Sequence, residues 1–125
     1  MLVKQFMAIF DGLQEAYGTF RIEKQGANGK AQGKAGVVRE PRTTLLWENH
    51  LVGRHGIGII PINEDNNCKW GCIDIDQYPL DHKLLVEKIR KLKLPLVICR
   101  SKSGGAHCFL FSTEWVEAKD MQKAL

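Results

Sequence analysis

No run in this 125-residue chain is apolar and long enough to cross a bilayer as a helix, which takes about 20 residues. The start, Met1-Leu2-Val3-Lys4-Gln5-Phe6, lacks the apolar stretch and small-residue cleavage site of a secretory leader, so the expected location is the cytoplasm. Cysteine is scarce, with four in all. Cys68 and Cys72 have loose zinc spacing, but no second close pair completes a four-ligand site. Cys99 and Cys108 lie in apolar runs and read as small core residues, so reduced and mostly buried thiols are expected. Internal repeats are also absent. What remains is 44% hydrophobic and 26% charged, the balance of a soluble globular chain that makes one domain over 1–125 or part of one. The net charge of +4 mildly favours an anionic partner.

Apolar positions at Val3, Phe6, Ile9, Phe10, Leu13 and Tyr17 have helical spacing and predict a helix over 3–17. Thr19–Glu23 alternates like a short strand. Residues 24–36, rich in glycine and lysine, read as a solvated hairpin loop. Thr43 or Thr44 caps a helix through Leu45, Leu46, Trp47 and His50, stopped by Gly53. Strands are expected at Gly58–Ile62 and Lys69–Asp76, separated by an Asn-rich turn. Asp81 caps a helix with Leu85, Val86, Ile89 and Leu92 on one face and lysines and arginine on the other. Leu96–Cys99 and Ala106–Phe111 form a hairpin around the Gly104-Gly105 turn. Ser112 or Thr113 caps a last helix with Trp115, Val116 and Met121. The pattern is α/β (α+β): helices packed on a mostly antiparallel sheet.

Two segments carry the chemistry. Ile73-Asp74-Ile75-Asp76 places Asp74 and Asp76 on one face of a strand, because residues i and i+2 point the same way. Carboxylates this close repel unless something positive lies between them, and Gln77, Tyr78 and Pro79 supply no cation. Mg²⁺ and Mn²⁺ take oxygen ligands and bind through one or two carboxylates plus substrate phosphates. Downstream, Arg100-Ser101-Lys102-Ser103-Gly104-Gly105-Ala106-His107 is a tight basic turn ending in a histidine. Its glycines let backbone amides approach an anion, Arg100 and Lys102 add charge, and Ser101 and Ser103 add hydroxyls. Taken alone, each segment also fits a bland role: a solvated pair of aspartates, and a glycine hairpin turn.

The order, acidic pair first and Ser/Gly/His element second, resembles the archaeo-eukaryotic primase (primase–polymerase) superfamily. The closer likeness is to the primase domain of TOTE conflict systems and related phage proteins. It rests on Tyr17–Phe20, Leu46–Gly53, Gly56–Ile62, Ile73–Asp76 and Leu94–His107, and so spans nearly the whole chain. The resemblance implies metal-dependent transfer of nucleotides from a (deoxy)nucleoside triphosphate to a 3′-hydroxyl on a DNA or RNA template. Asp74, Asp76 and His107 would be catalytic, with Asp74 and Asp76 holding two Mg²⁺ or Mn²⁺ ions. Arg100, Ser101, Lys102, Ser103, Gly104, Gly105 and His107 would bind the nucleotide. Gly105 stands where other members place a serine, so a backbone amide would replace that hydroxyl. Implied partners are template and primer, the triphosphate, and helicase or other replication domains in the same or a neighbouring chain, with no membrane.

The superfamily pattern continues with a third acidic residue on a strand beyond the helix expected near Thr113. Glu114, Glu117 and Asp120 are expected within that helix. The reading is therefore the N-terminal part of a catalytic domain, either a fragment or a reduced relative. Two rivals stand beside it. A non-catalytic nucleotide- or nucleic-acid-binding module would use the basic loop and basic helix. A metal-dependent nuclease would use the two aspartates and leave the Ser/Gly/His turn without a role. Trp47 and Trp115 are expected in the core, Trp70 is open between core and site, and His50 is expected to pack or to support the site.

Overall fold

The computed structural model describes residues 2–25 and 31–125. It contains helices α1 (Leu2–Ile9), α2 (Thr44–Leu51), α3 (His82–Lys91) and α4 (Ala118–Ala124). The strands are β1 (Tyr17–Gln25), β2 (Ala31–Val38), β3 (Asn67–Ile75), β4 (Val97–Arg100) and β5 (Ala106–Glu117). Strands β1 and β2 form an antiparallel ribbon, and β3, β5 and β4 form a second antiparallel sheet in that order. The expected mixed α/β architecture is therefore present. Strands β3 and β4 run the same way, joined through α3, with β5 inserted between them as in a split βαβ unit.

Register decides what each sheet face carries. Asp74 lies opposite His107, which lies opposite Cys99, so these three side chains form one row across the sheet. The next row on that face is Cys72, Phe109 and Val97, followed by Trp70 and Phe111. Phe10, just past α1, packs edge-on against Trp70, Phe109 and Phe111 at centroid distances of 5.3–5.5 Å. The face is thus covered by aromatic rings at one end and open at the Asp74–His107 end. On the other face, Cys108 and Ala106 are buried, as is Ile89 of α3. Met121 and Leu125 lie against Gly71, where a side chain would overlap them.

Local signals explain much of this. Asp81 accepts a hydrogen bond from the Leu84 amide at 3.0 Å and so caps α3 as expected. Helix α2 starts after Thr43 and ends before Gly53, whose φ of 78° is in the left-handed region.

Four expected elements differ. The first helix ends at Ile9, not at Tyr17. Beyond it, Leu13 donates to the Ile60 carbonyl, and Gly12 lies so close to that carbonyl that a side chain would overlap it. Long-range backbone pairing there outweighs helical spacing. The basic segment 24–36 is strand over Lys24–Gln25 and Ala31–Gly36. Its expected loop falls on 26–30, outside the described residues. Gly58–Ile62 is not a strand, because only Gly58 pairs, with Gly18, through two backbone hydrogen bonds of 2.7 and 2.8 Å. Finally, β5 runs to Glu117 where a helix from Thr113 is expected. Cys68 pairs with Val116 and Asn67 with Glu117, and this ladder holds 116–117 extended until α4 begins.

Two burial expectations change with these elements. Trp115, on β5, is 39% exposed, whereas Trp47 is 1% exposed and fully inside. Cys99, on edge strand β4, is exposed rather than core. All four cysteines are free thiols. Burial pushes the thiols of Cys68, Cys72 and Cys108 upward, with the Asp74 carboxylate adding to the effect at Cys72, so these three stay protonated and unreactive at neutral pH.

Candidate active site

The candidate site lies at the open end of the three-stranded sheet. His107 Nε2 is 3.5 Å from Asp74 Oδ1, with the two side chains 42% and 57% exposed. At that exposure the pair contributes little to stability, on the order of 0–1 kcal/mol. Its significance is positional: an imidazole and a carboxylate from adjacent strands meet where solvent and a ligand can reach both.

Asp76 lies one residue beyond the end of β3 and joins the turn by another route. Tyr78 Oη donates to Asp76 Oδ1 at 3.0 Å and is 2.7 Å from Ser103 Oγ, which is 3.2 Å from Ser101 Oγ. Each hydroxyl has a single proton. The Tyr78 proton goes to the carboxylate, so Ser103 must donate to Tyr78 and Ser101 to Ser103. All three protons therefore run towards Asp76. In this arrangement, neither serine has a hydroxyl proton left for a phosphate, and the free donors of the turn are backbone amides.

The turn is rigidly built. Ser101 is buried, its amide donates to the Gly105 carbonyl at 3.1 Å, and its own carbonyl accepts from the Gly104 amide at 3.1 Å. The Gly105 carbonyl also accepts from His82 Nε2 at 2.8 Å, which fixes the proton on that nitrogen and ties the turn to α3. Gly104 has φ of 96°, a conformation that glycine adopts readily. At Gly105 any Cβ would overlap the Ile75 carbonyl oxygen, so a serine there would point into β3 and not at a ligand.

The remaining sequence candidates are placed as follows. Lys102 Nζ sits 3.1 Å from the centroid of the Phe20 ring, a cation–π contact that joins the turn to the β1–β2 ribbon. Arg100 pairs with Ala106, one position from the Cys99–His107 pair, so strand alternation directs it to the other face. Trp70 belongs to the aromatic cluster, and its Nε1 donates to the Asp11 carbonyl at 2.9 Å. His50 packs on Phe6, and its ring Nδ1 is 3.2 Å from the His55 carbonyl. Glu114 and Glu117 are on β5, seven or more residues from His107. At ~3.3 Å per residue that is ~20 Å or more along the strand.

Sequence reasoning missed Tyr78, His82 and the Asp11–Arg42 pair. For Tyr78 a signal exists, a tyrosine two residues after the second aspartate. His82 and Arg42 carry none, since their partners are distant in sequence.

A family model for the archaeo-eukaryotic primase domain of TOTE conflict systems matches residues 12–125. The chain belongs to that primase-domain family. Comparison with curated proteins finds no match. The match includes every strand and turn that frames the open end of the sheet, whereas α1 precedes it. Among the described residues of this primase-family chain, no group of three or more His, Cys, Asp or Glu side chains is arranged to hold a metal ion. No helix among them is long and apolar enough to cross a membrane.

The Tyr78 hydroxyl holds Asp76 and Ser103 together, so Tyr78→Phe is expected to weaken metal-dependent nucleotide binding about 5–10-fold. That is the loss of a hydrogen bond to a charged group, ~1–1.5 kcal/mol. The thermal midpoint should hardly move, because Tyr78 is exposed. Titration calorimetry with a nucleoside triphosphate and Mn²⁺ measures the change. Unaltered affinity would show that the hydroxyl chain plays no part in binding.

Proposed function

We propose that this chain carries the nucleotide site of a primase-type nucleotidyltransferase, which transfers nucleotides from a (deoxy)nucleoside triphosphate to a 3′-hydroxyl on a nucleic-acid template. One observation carries the reading. Asp74 and His107 face each other across β3 and β5, and the Tyr78 hydroxyl joins Asp76 to the same Ser101–His107 turn. Two carboxylates, an imidazole and a tight turn with free amides thus border one end of one sheet.

The donor set suits a hard cation. Among the described residues no lysine or arginine lies within 4 Å of either aspartate, so their mutual repulsion is not relieved by protein charge. Asp74 and Asp76 are the residues that would hold Mg²⁺ or Mn²⁺. Such an ion, when bound, would supply neutralisation of polyphosphate charge and polarisation of the reacting phosphoryl group. His107 offers a nitrogen to a phosphate oxygen. Its Asp74 partner orients the ring. The Lys102, Ser103 and Gly105 amides remain as donors for the same ligand, while the Gly104 amide is held by the Ser101 carbonyl and Ser101 and Ser103 fix Asp76 through Tyr78. The Lys102 ammonium would have to leave Phe20 to reach the phosphates. From its face Arg100 contributes a positive field at most. Template, primer and neighbouring replication domains are the partners of this reading.

A second reading, nucleotide binding without turnover, has one observation in its favour: no third carboxylate joins the pair among the described residues. Two-metal transfer holds its ions roughly 3.5–4 Å apart, and a ~1 Å misplacement can cost about 100-fold. Primer extension with labelled dNTPs and Mn²⁺ separates the readings. This 125-residue chain is expected to extend weakly at most, about 100-fold below a version supplied with a further acidic strand. Robust extension, lost in Asp74→Ala, would show that two carboxylates suffice.

A further inference from the structure

We propose that the groove between the β1–β2 ribbon, α2 and the loop at His55–Gly56 is a track for single-stranded nucleic acid, alongside the turn that carries the candidate nucleotide site. The inference deepens the nucleotidyltransferase reading by naming where the strand lies. Its test needs neither nucleotide nor metal, so the two can fail separately.

The ribbon register builds the groove. Tyr17, Thr19 and Arg21 of β1 share a face with Val38, Gly36 and Lys34 of β2, paired in that order. Gly36 has no side chain, which leaves the floor low at the centre, beside Thr19. Leu46 of α2 and His55 form the opposite wall, and the groove has a volume of about 540 Å³. That is within the ~300–1,000 Å³ range of ligand sites. The ring nitrogen of His50 bonded to the His55 carbonyl fixes that wall to α2.

Charge selects the occupant. Arg21 and Lys34 lie directly opposite each other, and both are exposed. Like charges in that position destabilise an antiparallel pair. Neither has a carboxylate within 4 Å among the described residues. Glu23 also lines the groove, but the register shifts between Ile22 and Lys24, so it lies at an irregular point of the ribbon. A phosphate placed between Arg21 and Lys34 would convert their repulsion into two attractions. His55 faces the groove from the wall, and Arg54 beside it is exposed. Tyr17, half-buried at the other end, offers a ring to a base, as stacking platforms for single strands do. Lys102 on the Phe20 ring ties this ribbon to the Ser101–Gly105 turn, so the ribbon that floors the groove is joined to the candidate nucleotide site.

The experiment is fluorescence anisotropy of a labelled 12-nucleotide mixed-sequence strand, as DNA and as RNA, and of the matching DNA duplex, in EDTA. Wild type is compared with the double variant Arg21→Gln/Lys34→Gln. Both side chains are exposed, and the change removes a repulsion, so the thermal midpoint should stay level or rise. The expected result is single-strand binding weakened at least about 10-fold in the double variant. The slope of log affinity against log salt should become shallower by roughly 1.4, about 0.7 for each lost phosphate contact. Asp74→Ala should leave this binding intact. A preference for DNA or RNA then identifies the strand. Unchanged affinity and salt slope in the double variant would overturn the proposal, as would tighter binding of the duplex than of either single strand.

Discussion

Asp74→Ala is expected to abolish the strengthening of nucleotide binding by Mn²⁺ or Mg²⁺, at least about 100-fold, while leaving the fold intact. The affinity estimate comes from metal sites, where removing even an outer-shell partner typically costs 10–100-fold, so a direct ligand should cost no less. Fold integrity follows from exposure. The Asp74 side chain is 57% exposed and its contact with His107 is 3.5 Å, so its loss should change stability by no more than about 0.5 kcal/mol. Asp76→Ala should act in the same direction and should also free Tyr78 from its carboxylate partner. Calorimetry with a nucleoside triphosphate, with Mn²⁺ and with EDTA, reads the effect directly. Binding that ignores the metal and is equal in wild type and variant would favour the electrostatic module and end the nucleotidyltransferase reading.

Asp11→Ala should have the largest effect on stability, a loss of about 3–5 kcal/mol. Arg42 Nη2 lies 2.6 Å from Asp11 Oδ1, and the arginine side chain is only 4% exposed. Its Nε and Nη1 have no hydrogen-bond partner among the described residues, and its guanidinium lies 5.7 Å from the centroid of the buried Trp47 ring. Removing the carboxylate leaves a buried cation without a counter-ion. Because small domains are stable by only about 5–15 kcal/mol, much of the fold's margin would go. The double variant Asp11→Ala/Arg42→Met should recover most of the loss, since an apolar side chain of similar length needs no partner. Urea denaturation of wild type and the two variants measures this. A loss below about 1 kcal/mol in Asp11→Ala would show that water reaches Arg42 and carries its charge. The Asp11 backbone carbonyl also accepts from Trp70 Nε1, so this segment is tied to the strand that bears Asp74 by a bond that Asp11→Ala leaves in place.

Consecutive residues were enough to read several parts of this protein. The cap at Asp81, the apolar face of α3, the alternation through Ile73–Asp76 and the glycine turn at 104–105 are all local patterns, and each element appears where its pattern lies. The acidic pair followed by the Ser/Gly/His run, together with Tyr17–Phe20, Leu46–Gly53 and Gly56–Ile62, also pointed to the family.

The tertiary structure decided the rest, because the deciding partners are far apart in sequence. Apolar spacing beyond Ile9 suits a helix, but the Ile60 carbonyl nearly fifty residues away takes the Leu13 amide. Thr113–Met121 has helical spacing too, yet pairing of Val116 with Cys68 keeps the chain extended to Glu117. The glycine-rich segment has little to bury and reads as loop, but ribbon pairing needs backbone groups and no core. The same holds at the site. The sequence by itself determined which residue types are available: two carboxylates on one strand, a histidine after a tight turn, and cations on a glycine-rich segment. Only the cross-strand register set Asp74 against His107 and Arg21 against Lys34. Only the packing of Tyr78 on Ser103 turned three separate hydroxyls into one chain ending at Asp76. Periodicity and turn chemistry act between near neighbours, whereas register and buried pairs depend on which distant segments meet.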